Sequence, residues 1–280
     1  MLKIKSELAE VSFSNQAAEI TSFKKLSEDI EYMWQGNPKY WAGRNPILFP
    51  MVGNTYNKSY EIEDKTYSMG NHGLTRHMIF ETIKEKDKEI ELETKSNENT
   101  LLQYPFPFKV NVIYRLEGLK LSINYKITNT GDKPMPFTFG LHPAFNVPIK
   151  TGEFADYKLV FEKEERAIQL LNDDREKECE AFKEIKLNYE TFEVFPTLVY
   201  RNLNSSYVQL KNENEGIEVG IAGYPYLAFW CGNKAPFLCI EPWYGLGDTK
   251  PNDLKFHERP GMMELEPLGE FSTSYYIKLP

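Results

Sequence analysis

The feature that most constrains the fold is a period-two alternation of apolar and polar residues along much of the chain. It is clearest from Phe108 to Thr128, where Glu117-Gly118 separates two alternating runs. Successive side chains of a β-strand point to opposite faces, so these runs predict strands with one buried face. Shorter runs occur at Tyr60–Tyr67 and Ser272–Leu279. No long segment has the 3.6-residue period of a helix, which favours an all-β fold with very little helix.

The length of 280 residues suits one large β domain or two ordinary ones. No linker rich in Pro, Gly or Ser divides the chain. We therefore expect a large single-domain antiparallel β-sandwich over residues 1–280, with two small β domains as the alternative. Within it, Met135–Leu141 is predicted as one strand. The strongly charged segment Asn172–Lys186 is predicted as a surface excursion or short helix.

Charge and composition disfavour several classes of partner. The 33 basic and 41 acidic residues give a net charge of −8, which argues against nucleic acid and anionic membrane surfaces. No window approaches the ~20 apolar residues of a membrane span. The N-terminus lacks the pattern of a signal peptide, so we expect a cytoplasmic protein.

Motifs for metals, nucleotides and nucleophiles do not occur in the sequence. The three cysteines, Cys179, Cys231 and Cys239, lack the spacing of a disulfide framework or a zinc site. We expect Cys231 and Cys239 to be small core residues. Neither a phosphate-binding loop nor a Gly-x-Ser-x-Gly elbow is present. We therefore predict no metal and no cofactor.

A β-hairpin is predicted at Tyr226–Gly245, where two apolar, aromatic-rich runs flank Gly232–Lys234. The second run, Phe237–Ile240, is continuous and apolar, so we expect both of its faces to be buried. Pro242 is expected to end this strand and to hold Glu241 in an extended conformation. A carboxylate at the end of a buried strand is costly unless something pairs or uses it.

The surroundings of Glu241 suit a sugar. Trp230 and Trp243 lie in the same hairpin, and exposed rings there would stack on the C–H faces of a sugar while the carboxylate accepts hydroxyl hydrogens. The alternative is a carboxylate that merely begins a loop. His142 stands before Pro143 at the end of another apolar strand, and we expect it to meet Glu241 across one concave face. A satisfied structural histidine is the alternative.

Two further stretches offer polar groups. His72 lies in the glycine-containing segment Gly70–His77, where the backbone can approach a ligand closely, and Arg76 could point into the same pocket. Arg44 lies between Trp41 and an apolar run, so its guanidinium is expected to be partly buried. Such a group needs acceptors from a ligand or from an ion pair. An ordinary glycine loop and a structural ion pair are the respective alternatives.

These stretches, in this order, resemble the aldose 1-epimerase (galactose mutarotase) superfamily. The similarity is greatest to its LacX-like and hexose-6-phosphate-epimerase-like branches. It extends from near residue 15 to the C-terminus and implies a galactose mutarotase-like supersandwich. The matching motifs are Arg44–Pro50, Asn71–Gly73 with Arg76, Phe139–Phe145 and Ile240–Gly245.

The resemblance implies an isomerase that interconverts the α and β anomers of a hexose or hexose phosphate without a cofactor. It implies that Glu241 is the general base and His142 the general acid. It also implies that Arg44, His72 and Arg76 hold sugar hydroxyls or an anionic substituent.

One usual feature of the family is missing, and alternative functions stay open. Family members often carry an aspartate shortly before a segment like Thr197–Tyr200, where the nearest acid here is Glu193. A sugar-phosphate epimerase with altered specificity would fit this departure. A non-catalytic sugar-binding or sensor protein would not need both Glu241 and His142. A glycoside hydrolase normally requires two carboxylates, and only one is placed.

Overall fold

The computed structural model describes residues 2–171, 175–232 and 234–280, which are built mainly of antiparallel strands. The strands are β1 (Leu2–Lys5), β2 (Ala9–Phe13), β3 (Ile20–Lys25), β4 (Ile30–Glu31), β5 (Ile47–Leu48), β6 (Ser59–Ile62), β7 (Lys65–Ser68), β8 (Glu81–Lys86), β9 (Glu89–Lys95), β10 (Phe108–Glu117), β11 (Lys120–Asn129), β12 (Met135–Phe137), β13 (Gly140–Leu141), β14 (Ala144–Asn146), β15 (Lys158–Glu165), β16 (Ile168–Leu170), β17 (Glu176–Glu178), β18 (Phe182–Lys186), β19 (Thr197–Arg201), β20 (Tyr207–Lys211), β21 (Gly216–Gly220), β22 (Tyr226–Trp230), β23 (Phe237–Trp243), β24 (Met263–Leu265) and β25 (Glu270–Lys278). The α-helices are α1 (Glu98–Leu101) and α2 (Tyr189–Val194). No helix in these ranges is long and apolar enough to cross a membrane.

Two large sheets form the framework, and their facing sides share a core. One has nine strands in the order β18-β15-β20-β21-β25-β11-β10-β9-β8. The other has eight, in the order β17-β16-β19-β22-β23-β13-β5, with β14 paired to β23. Between the sheets, the ring centroids of Phe161 on β15 and Phe229 on β22 lie 6.3 Å apart. The predicted antiparallel β-sandwich with little helix is confirmed.

Strand β23 separates core side chains from site side chains. All seven of its residues are buried, which confirms the expectation for Phe237–Ile240. Leu238 and Ile240 join the large core between the sheets, whereas Phe237 and Cys239 pack in a separate cluster on the other face. Because the side-chain period is two, Glu241 shares the face of Cys239 and points away from the main core.

Pro242 does not end the strand, contrary to our prediction. The N–H of Ile240 donates to the carbonyl of Pro143 at 3.1 Å, and that of Tyr244 donates to the carbonyl of Phe139 at 2.7 Å. An N–H at position 242 would face the same side. The register places Leu141 of β13 opposite position 242, so proline leaves one hydrogen bond of this ladder unmade. The strand continues because the bonds of Ile240 and Tyr244 hold it on either side.

The predicted strand Met135–Leu141 is divided into β12 and β13, because the chain changes partners within it. Strand β12 pairs with β24, whereas β13 pairs with β5 and β23. At the change, the N–H of Thr138 donates to the carbonyl of Pro50 at 2.8 Å, and its hydroxyl accepts from the N–H of Val52 at 2.7 Å. Hydrogen bonds to a loop therefore replace strand pairing at this point.

The charged segment Asn172–Lys186 contains strands instead of the short helix that we considered. Residues 172–174 lie outside the described part, as does Asn233 in the predicted hairpin turn. From Glu176 onward the chain forms β17 and β18, whose side chains are largely exposed. Strand β17 is an edge strand of the eight-stranded sheet, and β18 is an edge strand of the nine-stranded sheet. The segment therefore lies at the surface, which confirms the predicted surface excursion.

A buried ion pair holds the loop that follows β23. Asp248 and Arg259 lie 3.3 Å apart, and their side chains are only 4% and 5% exposed. Beside Asp248, Gly247 packs closely on Gly53. A Cβ added to Gly53 would lie 2.8 Å from the Cα atom of Gly247. The ion pair therefore fixes a loop against the segment that carries Gly53.

We predict that Asp248→Ala lowers the free energy of unfolding by about 3 kcal/mol, because it leaves the guanidinium of Arg259 buried without its charged partner. Urea denaturation measures the effect. Glu7→Ala is the control, since that side chain is 63% exposed in its pair with Lys88, and it should change stability little. Equal losses in the two variants would contradict the role of the buried pair.

Candidate active site

The candidate acid and base lie opposite each other on the face of the eight-stranded sheet that points away from the core. Strands β13 and β14 both pair with β23 in one common register, and this register places position 142 opposite position 241. The side chains of His142 and Glu241 face each other accordingly. The distance from His142 Nε2 to Glu241 Oε2 is 3.3 Å.

These two groups are buried but have few polar partners. The side chains of His142 and Glu241 are 9% and 1% exposed. Their contact is within ion-pair distance but lacks hydrogen-bond geometry. Neither oxygen of Glu241 nor Nδ1 of His142 has a hydrogen-bond partner among the described residues. Buried polar groups without partners are costly, and this arrangement is typical of groups that await a ligand.

Burial shifts the pKa values of the two groups in opposite directions. It raises the pKa of Glu241 well above the usual range, and the indole N–H of Trp243 opposes this shift without forming a hydrogen bond. Burial, with His72 as the next contribution, lowers the pKa of His142 well below its usual range. Burial thus favours the uncharged form of both groups. A carboxyl group and an imidazole at this distance can accept a proton at one atom and donate one at the other.

Aromatic rings enclose His142. The ring of Trp41 stacks on it with centroids 4.8 Å apart. Trp230 meets His142 edge-on at 5.5 Å and Trp41 at 5.4 Å. The structure thus brings the predicted Trp230 to the pair. Our sequence reasoning missed Trp41, whose only signal was its position three residues before Arg44.

Trp243 differs from the exposed ring that we expected. It is 8% exposed and packs in a small cluster with Leu48, Val52 and Ala228. Trp243 follows Glu241 by two residues and so shares its face of the sheet, but this cluster covers the ring. It therefore forms part of the floor beside the carboxylate and not an open stacking surface.

His72 lies next to the pair in a defined tautomer. Its ring centroid is 5.5 Å from that of His142. The N–H of Gly53 donates to His72 Nδ1 at 3.0 Å, so the proton of the neutral ring is on Nε2, which is a donor. Burial, followed by the charge of Arg76, lowers the pKa of His72 to about 4. Its φ of 65° lies in the left-handed region, a conformation that often marks functional sites.

The two candidate arginines have different surroundings. Arg76 is close enough to contribute to the lowered pKa of His142. It donates one long hydrogen bond, 3.4 Å, to the carbonyl of Asn71. Arg44 instead pairs with Glu19 at 3.6 Å, and the same carboxylate accepts the backbone N–H of Arg44 at 3.0 Å. Arg76 is thus the arginine beside the histidines, and sugar binding by Arg44 stays a prediction.

Glu193, the nearest acid to the missing aspartate, lies on α2. Its carboxylate pairs with Lys234 at 2.8 Å, and both side chains are more than half exposed. Among the described residues, no contact joins Glu193 to His142 or Glu241.

Comparison with known proteins identifies relatives along the whole chain. A family model described as aldose 1-epimerase matches residues 1–258. The chain is 30% identical to the chromosomal LacX protein of Lactococcus lactis subsp. lactis over 297 residues, which cover 99% of each protein.

Solved structures show the same fold. A galactose mutarotase related enzyme from Lactobacillus acidophilus has a TM-score of 0.91 and 30% identity, covering 99% of this chain and 96% of that one. A galactose mutarotase-like protein from Lactobacillus casei has a TM-score of 0.93 and 27% identity, with both chains fully covered. The predicted galactose mutarotase-like fold is therefore confirmed.

We predict that Glu241→Gln stabilises the protein increasingly as pH rises. The pKa of Glu241 is raised in the folded state, so the stability that its proton contributes is present at low pH and lost as pH rises through the folded pKa. Glutamine keeps the shape and never ionises. The Tm of the variant should therefore match that of the wild type near pH 4, below the pKa of about 4.3 that glutamate has in the unfolded chain, and exceed it at pH 8 by on the order of 2 °C or more.

Glu165→Gln is the matched control. Glu165 is also fully buried, but its carboxylate accepts the backbone N–H groups of Asn204 and Ser205 at 2.7 and 2.8 Å. The amide of glutamine would turn a donor toward one of these N–H groups, so this variant should lose stability at both pH values. A Glu241→Gln variant that loses stability in the same way would contradict the prediction.

Proposed function

The chain belongs to the aldose 1-epimerase family, and on that premise we propose that it interconverts the α and β anomers of a hexose or hexose phosphate by general acid/base catalysis. One observation carries the proposal. His142 Nε2 and Glu241 Oε2 lie 3.3 Å apart in a buried position on the outer face of a rigid sheet. An acceptor and a donor held side by side are what the opening of a cyclic hemiacetal requires.

Ring opening removes the O1 proton and adds a proton to the ring oxygen O5. The carboxylate of Glu241 takes the O1 proton while protonated His142 gives its proton to O5. The C1–O5 bond breaks and the C1–O1 bond becomes a carbonyl. After rotation about C1–C2, the O5 hydroxyl adds to the other face of C1. His142 now accepts the O5 proton and Glu241 returns a proton to O1, so no step requires a metal or a cofactor.

The pKa shifts suit these roles. A carboxyl group whose pKa is raised by burial is a stronger base once it is ionised. An imidazolium whose pKa is lowered by burial is a stronger acid. The reactive form, with ionised Glu241 and protonated His142, carries the same single proton as the neutral form, so the pair reaches it without exchange with solvent.

The surrounding residues offer contacts to the rest of a sugar. His72 presents Nε2–H as a donor to a hydroxyl, because Gly53 occupies Nδ1. The ring faces of Trp41 and Trp230 suit the C–H groups of a pyranose. Arg76 supplies a cation that suits a phosphate substituent, since charge-assisted hydrogen bonds to phosphate are strong.

We predict that Glu241→Gln and His142→Asn each lower kcat by ~10²-fold or more, because each removes one proton-transfer group. The double variant should be little worse than the worse single variant, since the two groups act as a unit. Anomerisation of glucose, galactose and their 6-phosphates, followed by polarimetry or saturation-transfer NMR, measures the effect.

Sugar binding should be largely kept in both single variants, which separates loss of proton transfer from loss of the site. A Glu241→Gln protein that retains more than about a tenth of wild-type anomerisation on its best substrate would refute the assignment. The non-catalytic sugar-binding protein would then be the better description.

We predict that Arg76→Ala raises KM for a sugar phosphate by about tenfold or more and for the free sugar far less. Steady-state kinetics on glucose and glucose 6-phosphate test the difference. Arg115→Ala is the control, since Arg115 pairs with Glu89 on the nine-stranded sheet, and it should change neither value. Equal effects of Arg76→Ala on both substrates would exclude a phosphate contact at this arginine.

A further inference from the structure

A third potential ligand atom faces the acid/base pair, which the spacing of cysteines along the chain did not predict. Cys239 precedes Glu241 by two residues on β23 and therefore shares its face of the sheet. It is fully buried, as we expected of a small core residue. Its Sγ, a carboxylate oxygen of Glu241 and a ring nitrogen of His142 all lie within 4.8 Å of one another.

The spacing of these atoms suits a tetrahedral metal ion. Zinc binds imidazole nitrogen and carboxylate oxygen at about 2.0–2.2 Å, so two such ligands in tetrahedral geometry are roughly 3.3 Å apart. The observed distance from His142 Nε2 to Glu241 Oε2 is 3.3 Å. A sulfur ligand at about 2.3 Å from the metal needs roughly 3.5 Å to each partner. The thiol therefore has to move by little more than about 1 Å.

Two independent features point to a cation here. Both oxygens of Glu241 are buried and have no hydrogen-bond partner within the described ranges, so the site holds lone pairs that nothing else uses. The ligand set combines a thiol, an imidazole and a carboxylate. That combination selects zinc and similar borderline-soft ions over magnesium or calcium, which prefer oxygen ligands only.

We propose that His142, Cys239 and Glu241 form a reversible binding site for a thiophilic divalent cation such as Zn²⁺, and that cation binding and sugar turnover exclude each other. The mutual exclusion rests on the proposed function, whereas the binding site does not. The ion would occupy the atoms that accept and donate the protons of ring opening. The ion binds the thiolate, so the thiol proton is released on binding and the apparent affinity rises with pH.

Other features favour a reversible site over a permanently metallated one. Metal-binding histidines usually donate their second ring N–H to an acceptor that orients them. Nδ1 of His142 has no such partner in the described part of the chain. Three protein ligands also leave one coordination position open, as in zinc sites that exchange water.

Cobalt(II) tests the site directly, because a thiolate bound to cobalt gives a charge-transfer absorption that is independent of enzymatic activity. The full-length, reduced, chelator-treated protein should show this band at about one Co²⁺ per chain at pH 8, and Zn²⁺ should abolish it. Cys239→Ser should lose the band. Cys231→Ser, which removes the other buried thiol of the hairpin, and Cys179→Ser should keep it.

A wild-type protein without the band in excess Co²⁺, or a Cys239→Ser variant that keeps it, would overturn the site. If Cys239→Ser fails to fold, as judged by its Tm and circular dichroism, His142→Asn replaces it. That variant removes the nitrogen ligand and should weaken Co²⁺ binding by at least the ~10-fold that the loss of a group orienting a ligand costs. Unchanged binding in His142→Asn would likewise refute the site.

Inhibition by Zn²⁺ tests whether cation binding and sugar turnover exclude each other. Zn²⁺ should inhibit anomerisation in competition with the sugar, and a chelator should restore the rate. In Cys239→Ser, compared with its own rate without metal, at least about ten times more Zn²⁺ should be needed. Equal sensitivity of both proteins would place the inhibitory ion elsewhere. If no sugar is turned over at all, the proposed function fails while the cobalt spectrum still decides on the metal site.

Discussion

The register of β23 against its neighbours is the constraint on which the site depends. Strands β13 and β14 continue one alignment along β23 across a gap of two residues, and His142 lies in that gap opposite Glu241. A slip of one residue would turn Glu241 into the main core and bring Ile240 to the site. The burial of Leu238 and Ile240 between the two large sheets resists such a slip. Core packing on one face thus sets the geometry of the candidate pair on the other.

Two buried carboxylates of this chain differ in their hydrogen-bond partners. Glu165 is fully buried and accepts two backbone N–H groups, so its burial is compensated within the protein. Glu241 is equally buried, but among the described residues its oxygens have no donor. Natural proteins leave a buried polar group without a hydrogen-bond partner mainly where function requires it. The contrast separates a carboxylate whose burial is compensated within the protein from one whose burial is not, and the latter is the candidate for function.

Sequence patterns predicted the local structure well where one face of a strand is buried, as in β10, β11 and β25. They also predicted that His142 and Glu241 would meet, because each precedes a proline after an apolar run. They failed where the outcome depends on a distant partner. Pro242 continues its strand because the hydrogen bonds of Ile240 and Tyr244 to the neighbouring segment hold it on either side.

Trp243, Trp41 and Cys239 show the same limit. Trp243 is covered by a cluster with Leu48 and Val52 that no local pattern reveals. Trp41 reaches the pair only through the fold, and its neighbours in the sequence carry no sign of it. The alternation in β23 places Cys239 on the face of Glu241 but does not show that His142 lies opposite them. Period-two alternation states which residues share a face but not which elements cover that face.

Strand β23 also has a consequence for how such proteins diversify. Its even-numbered positions before Pro242 lie in the main core, while Phe237 and Cys239 lie on the face that carries Glu241. A substitution at Phe237 or Cys239 therefore changes the surroundings of the candidate pair and leaves the packing of Leu238 and Ile240 in place. A fold that separates these two sets of positions can change the residues around a site by single substitutions, which agrees with the observation that one scaffold hosts many functions.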